Sequence, residues 1–127
     1  MGAAGQRFGP DARLRKRAEF RRVYDEGRRL SGRYFVCFFR EAASPDDRPR
    51  LGITVTRRMG AAVRRNRLRR LAREFFRLRR GQMRAGFDVV INARPQAAVQ
   101  PASVLWEDLE RVFVKAGATP GGPERRR

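Results

Sequence analysis

Residues 61–80, AAVRRNRLRRLAREFFRLRR, carry nine arginines and a single acid, Glu74. Stepping 100° per residue places Leu68, Leu71, Ala72, Phe75 and Leu78 within one arc of about 120°. The opposite arc holds Asn66, Arg69, Arg70, Arg73, Arg77 and Arg80, with Arg64, Arg65 and Arg67 flanking its start. Such a segment has one stable form, an amphipathic helix with its apolar stripe on a core and its cationic stripe outward. Gly81 is placed to end it. A solvated helix face normally mixes signs and gains i, i+4 pairs, whereas here the like charges repel. A polyanion lying along the stripe would reverse that repulsion. From Asn66 to Arg77 the stripe runs about 16 Å at 1.5 Å per residue, room for several phosphates.

Charge across the chain points the same way. The 127 residues hold 31 Lys+Arg against 13 Asp+Glu, so 31 − 13 = +18. An excess of that size in one small domain calls for a polyanionic partner, nucleic acid first and an anionic membrane surface second. The only lysines are Lys16 and Lys115. Arginine adds a planar fork for phosphates and a flat face for bases. GC-rich coding can explain the choice of arginine over lysine, but not the net charge. Histidine is absent and cysteine occurs once, at Cys37. These counts exclude a disulfide framework and a thiolate cluster, and they remove the usual general base. A small buried strand residue is the expected role of Cys37. The longest apolar run, residues 34–39, is far too short to span a bilayer, and a cytoplasmic protein without membrane contact is expected.

The remaining pattern predicts an α+β fold. A first helix is expected over 17–26, with Gly27 as its cap, and a buried strand over 34–40. Residues 43–50 read as a loop, with Asp46 and Asp47 solvated in it. Leu51, Ile53 and Val55 alternate with Gly52, Thr54 and Thr56 through a half-buried strand, which suggests a hairpin with 34–40. A strand over 87–93 and a last helix over 101–116 follow, the latter with Leu105, Leu109, Val112 and Phe113 on its apolar face. The expected architecture is a small, mostly antiparallel sheet of three to four strands packed with three helices in αβββαβα order, the helices covering one face. The domain spans 13–116, between a flexible tail at 1–12 and a disordered basic tail at 117–127.

Several of these segments together resemble the bacterial ribonuclease P protein subunit. Residues 57–70, RRMGAAVRRNRLRR, match its signature, centred on Arg65-Asn66-Arg67, and LGITVTRR at 51–58 matches the strand that leads into it. AEFRRVYDEG at 18–27 matches the family's aromatic-bearing first helix, and RYFVCFF at 33–39 and FDVVINARP at 87–95 fall where the family has strands. The resemblance covers about residues 13–115. It implies a left-handed βαβ crossover around the arginine helix, against the usual right-handed rule.

Functionally, the resemblance implies the protein component of an endoribonuclease whose catalytic centre lies in an RNA subunit. The complex removes the 5′ leader of precursor tRNA, with Mg2+ held mainly by the RNA. The partners implied are the catalytic RNA and precursor tRNA, with no further protein required. Arg65, Asn66, Arg67, Arg69, Arg70 and Arg73 would face the catalytic RNA. A separate cleft, with Phe20, Tyr24 and Phe38 and the cations Arg13 and Lys16, would hold the single-stranded leader. Aromatic faces accept any base by stacking, which suits a site for varied leaders. Phe38 stands where the family often has Tyr, so a hydroxyl is lost and the stacking face kept. Pattern alone also allows core packing for the three aromatics. An RNA-binding protein of the ribosomal kind shares the charge and fold, and a self-contained nuclease is disfavoured by the missing histidine and scattered carboxylates.

Overall fold

A computed structural model describes residues 13–41, 49–83 and 86–120. The elements run α1 (Arg17–Glu26), β1 (Arg28–Ser31), β2 (Phe35–Glu41), β3 (Arg50–Thr54), α2 (Ala62–Arg79), β4 (Phe87–Ala93) and α3 (Ala102–Lys115), with short 3-10 turns at Arg57–Met59, Arg80–Gln82 and Pro95–Val99. This is the αβββαβα order expected. The four strands form one sheet in the order β1-β2-β4-β3. β1/β2 and β2/β4 are antiparallel, whereas β3/β4 is parallel, so α2 is the crossover of a βαβ unit.

Two expectations about the sheet fail. β2 and β3 do not form a hairpin: β4 inserts between them, and β2 instead makes its hairpin with β1. Alternation in β3 reports burial on one face and carries no information about which strand lies beside it. Nor do the helices share one face of the sheet. Phe35, Cys37, Phe39, Leu51, Val89 and Ile91 point into the main core with α2 and α3 residues. Phe38 and Val90 point the other way, joining Leu14, Phe20 and Val23 in a second, smaller core beneath α1. With both faces covered, β4 is buried from Phe87 to Ile91, an apolar run broken only by Asp88.

The arginine helix packs much as its projection requires. Leu68, Ala72, Phe75 and Phe76 are buried, and α3 meets them with Leu105, Leu109, Val112 and Phe113. Leu78 is 42% exposed, and Phe76, on the far side of the stripe, takes a buried place. Arg80 also leaves the exposed arc: it is buried at 4%, and its Nε donates to the carbonyl of Pro49 at 3.0 Å. The straight projection breaks there because α2 gives way to a 3-10 turn. Gly60, at φ 102°, turns the chain from β3 into α2, a backbone angle that a residue with Cβ adopts at a cost.

The domain also extends past 116. Ala118 and Thr119 are buried, so the expected tail from 117 begins too early, and its remainder from 121 lies outside the described residues. So do residues 1–12, Asp46 and Asp47. No helix among the described residues is long and apolar enough to cross a membrane.

Candidate nucleic-acid interface

The face of the sheet under α1 repeats with period two in three ranks. Arg40, Asp88 and Arg50 stand side by side, then Phe38, Val90 and Gly52, then Val36, Asn92 and Thr54. The first rank clamps α1 to the sheet. Arg50 pairs with Asp88 at 3.0 Å and with Glu19 at 3.1 Å, near the start of α1. Arg40 pairs with Glu26, in its last turn, at 2.8 Å and lies 3.6 Å from Asp88. Glu19 also accepts the main-chain N–H groups of Arg15 and Lys16 at 2.8 and 3.1 Å. Those two bonds hold the Glu19 carboxyl below the usual carboxylate range, with help from Arg50.

The other two ranks position the aromatics. Phe20 lies directly on Gly52, where an added Cβ would stand 2.6 Å from the ring. Tyr24 meets Phe38 edge-on, with ring centroids 4.8 Å apart. Its hydroxyl donates to Asn92 Oδ1 at 2.9 Å and lies 3.2 Å from Thr54 Oγ1. Phe20 and Phe38 are half-buried and Tyr24 is 36% exposed. Core packing and an open face are thus both present: Phe20 and Phe38 pack on the small core and stay partly exposed, and Tyr24 lies against Phe38. Asn92 and Thr54 escape sequence reasoning, although the strand alternation that puts Thr54 beside Gly52 contained the signal. Arg13 is exposed and bridges in parallel to Leu51, and Lys16 is exposed at the N-cap of α1.

Along α2 the cations differ in their surroundings. Asn66 and Arg70 are exposed and Arg65 is half-buried. Arg69 reaches Asn66 Oδ1 at 3.3 Å and the Val55 carbonyl at 3.4 Å, at the end of β3. Arg67, though exposed, donates to the Gln100 carbonyl at 2.6 Å and so ties α2 to the turn before α3. Arg79 falls on the core side, over Phe75 and Trp106, with Glu110 as its ion partner.

The helix stripe and the aromatic cleft are not separate. One cavity of about 160 Å³ is lined by Arg13, Leu14, Phe20, Gly52, Arg69 and Arg73 among others. Partial burial first, then the charges of Arg13, Arg69 and Arg70, push the Arg73 guanidinium below its ordinary pKa. That is a concentration of positive charge beside an aromatic edge, suited to a phosphate next to a stacked base. Among the described residues no three His, Cys, Asp or Glu gather closely enough to hold a metal ion. Guanidinium groups beside aromatic edges fit the binding and positioning of an anionic polymer.

Comparison with known proteins agrees with this architecture. The family model described as ribonuclease P matches residues 8–117. The ribonuclease P protein component of Syntrophus aciditrophicus is 44% identical over 103 residues, covering 81% of this chain and 85% of its own. The solved RNase P protein of Staphylococcus aureus superposes with a TM-score of 0.79 at 31% identity, over 85% of this chain and 97% of that one. That of Thermotoga maritima gives 0.72 at 36% identity, over 81% and 96%. With a family match across most of the domain and the same fold in solved relatives, the chain belongs to the ribonuclease P protein family.

Proposed function

We propose that this chain is the protein subunit of a ribonuclease P ribonucleoprotein. It docks on the catalytic RNA through the exposed stripe of α2 and holds the single-stranded 5′ leader of precursor tRNA in the cleft of α1. Endonucleolytic removal of the leader then gives the mature tRNA 5′ end in the cytoplasm. The observation that carries this reading is the cavity shared by Phe20, Arg69 and Arg73, where the two surfaces meet. Arg65, Asn66, Arg67 and Arg70 face the catalytic RNA, and Arg13, Lys16, Phe20, Tyr24 and Phe38 face the leader. Arg69 and Arg73 stand at the seam. The catalytic centre belongs to the RNA, with Mg2+ held mainly there.

The chain's contribution is positional. Guanidinium groups neutralise phosphates without reading sequence. Half-exposed rings stack on whatever base the leader offers, at about 1–3 kcal/mol per base. Tyr24, held by Asn92 and Thr54, presents a fixed ring, so little side-chain freedom is lost on binding. The test uses two variants that leave Arg69 and Arg73 in place. Phe20→Ala/Tyr24→Ala should weaken binding of leader-bearing precursor to the holoenzyme and leave mature tRNA unaffected. Arg65→Ala/Arg70→Ala should weaken assembly with the catalytic RNA. The same defect from both variants would remove the assignment of two roles, and ribosomal RNA recovered as the bound species in a native pull-down would favour the ribosomal-type alternative.

A further inference from the structure

A second concavity, of about 430 Å³, opens between α3 and the turn joining β1 to β2. Ser31, Gly32, Arg33, Asp108, Arg111 and Lys115 line it. None of these residues contributes to the cavity at Phe20 and Arg73. We propose that this concavity is an additional phosphate-binding site that takes a phosphodiester of the RNA backbone, remote from the α2 stripe and the α1 cleft. The proposal rests on the reading of the chain as an RNA-binding subunit.

The floor of the site is rigid. Asp108 is 1% exposed, and its carboxylate accepts the main-chain N–H groups of Arg33, Tyr34 and Phe35 at 2.9, 2.9 and 3.2 Å. A buried carboxylate on α3 thereby fixes the turn that carries Arg33 against the helix that carries Arg111 and Lys115. The same bonds spend its acceptor capacity inward, and Arg111 lies 3.6 Å from it. The walls hold three cations against that one engaged carboxylate, so an arriving anion meets net positive charge. Arg33 and Lys115 have no carboxylate partner among the described residues, and the Arg111 side chain is 62% exposed. Arg28 of β1, outside the lining, donates to the Ala116 carbonyl at 3.3 Å beside the end of α3. Cations from two elements, set around a hollow wide enough for a phosphate and held by a dedicated buried anchor, are more than a solvated face needs. Arg111 has Asp108 three residues before it, as Arg77 has Glu74, whereas Arg33 and Lys115 have no such acid among the described residues.

The test measures affinity for the cognate catalytic RNA against salt, for the wild-type chain, Arg111→Ala/Lys115→Ala and, as control, Arg70→Ala/Arg73→Ala. Each phosphate contact adds about 0.7–0.9 to the slope of log K against log salt, so losing this one should lower it by about 0.7–0.9. Between 50 and 200 mM salt the wild type should then lose about 2.6- to 3.5-fold more affinity than the Arg111/Lys115 variant. Independently of any variant, the amide resonances of Arg33, Tyr34 and Phe35 in the intact protein should shift saturably with a short RNA hairpin. A wild-type slope in the Arg111/Lys115 variant beside a reduced slope in the control overturns this site alone. Unchanged slopes in both overturn the RNA-binding reading and this site with it. Amide shifts with inorganic phosphate but none with the hairpin would overturn the assignment to RNA.

Discussion

Arg70 and Arg73 separate a binding role from a structural one, because the two roles predict opposite signs for stability. The double change Arg70→Ala/Arg73→Ala removes the like-charge neighbours Arg67–Arg70, Arg70–Arg73, Arg69–Arg73 and Arg73–Arg77, all at i, i+3 or i, i+4 spacing. Each such pair costs roughly 0.2–0.5 kcal/mol on a helix at low salt. Arg73 bears further repulsion from Arg13, consistent with its lowered pKa. Relief of about 1 kcal/mol corresponds to a rise in Tm of a few degrees, about 4–8 °C per kcal/mol for a domain near 100 residues. Some of that is offset by the packing that the Arg73 stem gives the cavity wall. The gain should fade near 1 M salt, where the screening length falls to about 3 Å. Affinity for the catalytic RNA should move the other way, with the salt slope reduced by about 1.4–1.8. The assay pairs thermal melts at low and high salt with a binding titration on the same preparations. A Tm that falls together with affinity, at an unchanged salt slope, would show that these arginines support the fold and that RNA binding lies elsewhere.

Three further outcomes follow from the geometry. Asp108→Ala leaves three main-chain N–H groups of the β1–β2 turn without their acceptor and should cost about 3–5 kcal/mol, read by denaturant unfolding; a loss below about 1 kcal/mol would mean that the turn holds itself. Gly52→Ala drives a methyl to 2.6 Å from Phe20. The ring must then shift, costing about 1–3 kcal/mol, and preference for leader-bearing over mature tRNA should drop while affinity for the catalytic RNA holds; an unaltered preference would separate Phe20 from the leader. Glu19, whose carboxyl is held below the usual range, contributes stability that is present above its ordinary pKa of 4.5 and lost as pH falls through the lowered folded value. Glu19→Gln should therefore flatten the acid limb of the stability profile below about pH 4.5; a limb as steep as wild type would assign it to other carboxylates.

Much of this architecture is legible in local pattern. The bounds of α1 and β4 follow from their apolar spacing and flanking glycines, and Leu105, Leu109, Val112 and Phe113 of α3 are buried as their periodicity requires. Long-range pairing is not legible in the same way. Nothing local to residues 34–56 announces that β4, more than thirty residues on, will separate β2 from β3. The β1 strand, RRLS, is polar and short, and it forms because β2 offers an edge rather than from any preference of its own. Within the interface, the cationic stripe could be projected from sequence, but its junction with the aromatic cleft could not. That junction depends on α2 lying beside β3, which brings Arg69 and Arg73 to Phe20 and Gly52. Arg80 and Arg79 mark the limit of composition as a guide: one is buried against a carbonyl and the other lies over two aromatic rings, so neither belongs to the outward stripe.

The proposed function has this chain assist an RNA catalyst through two adjoining surfaces. Reconstitution with the cognate catalytic RNA at low Mg2+ tests it most directly, following cleavage of precursor tRNA with and without the protein. The expected result is leader removal that depends on the RNA and is strongly enhanced by the protein, with the enhancement lost in Phe20→Ala/Tyr24→Ala while binding of mature tRNA is unchanged. Cleavage by the protein alone, or equal rates with and without it at low Mg2+, would contradict the account.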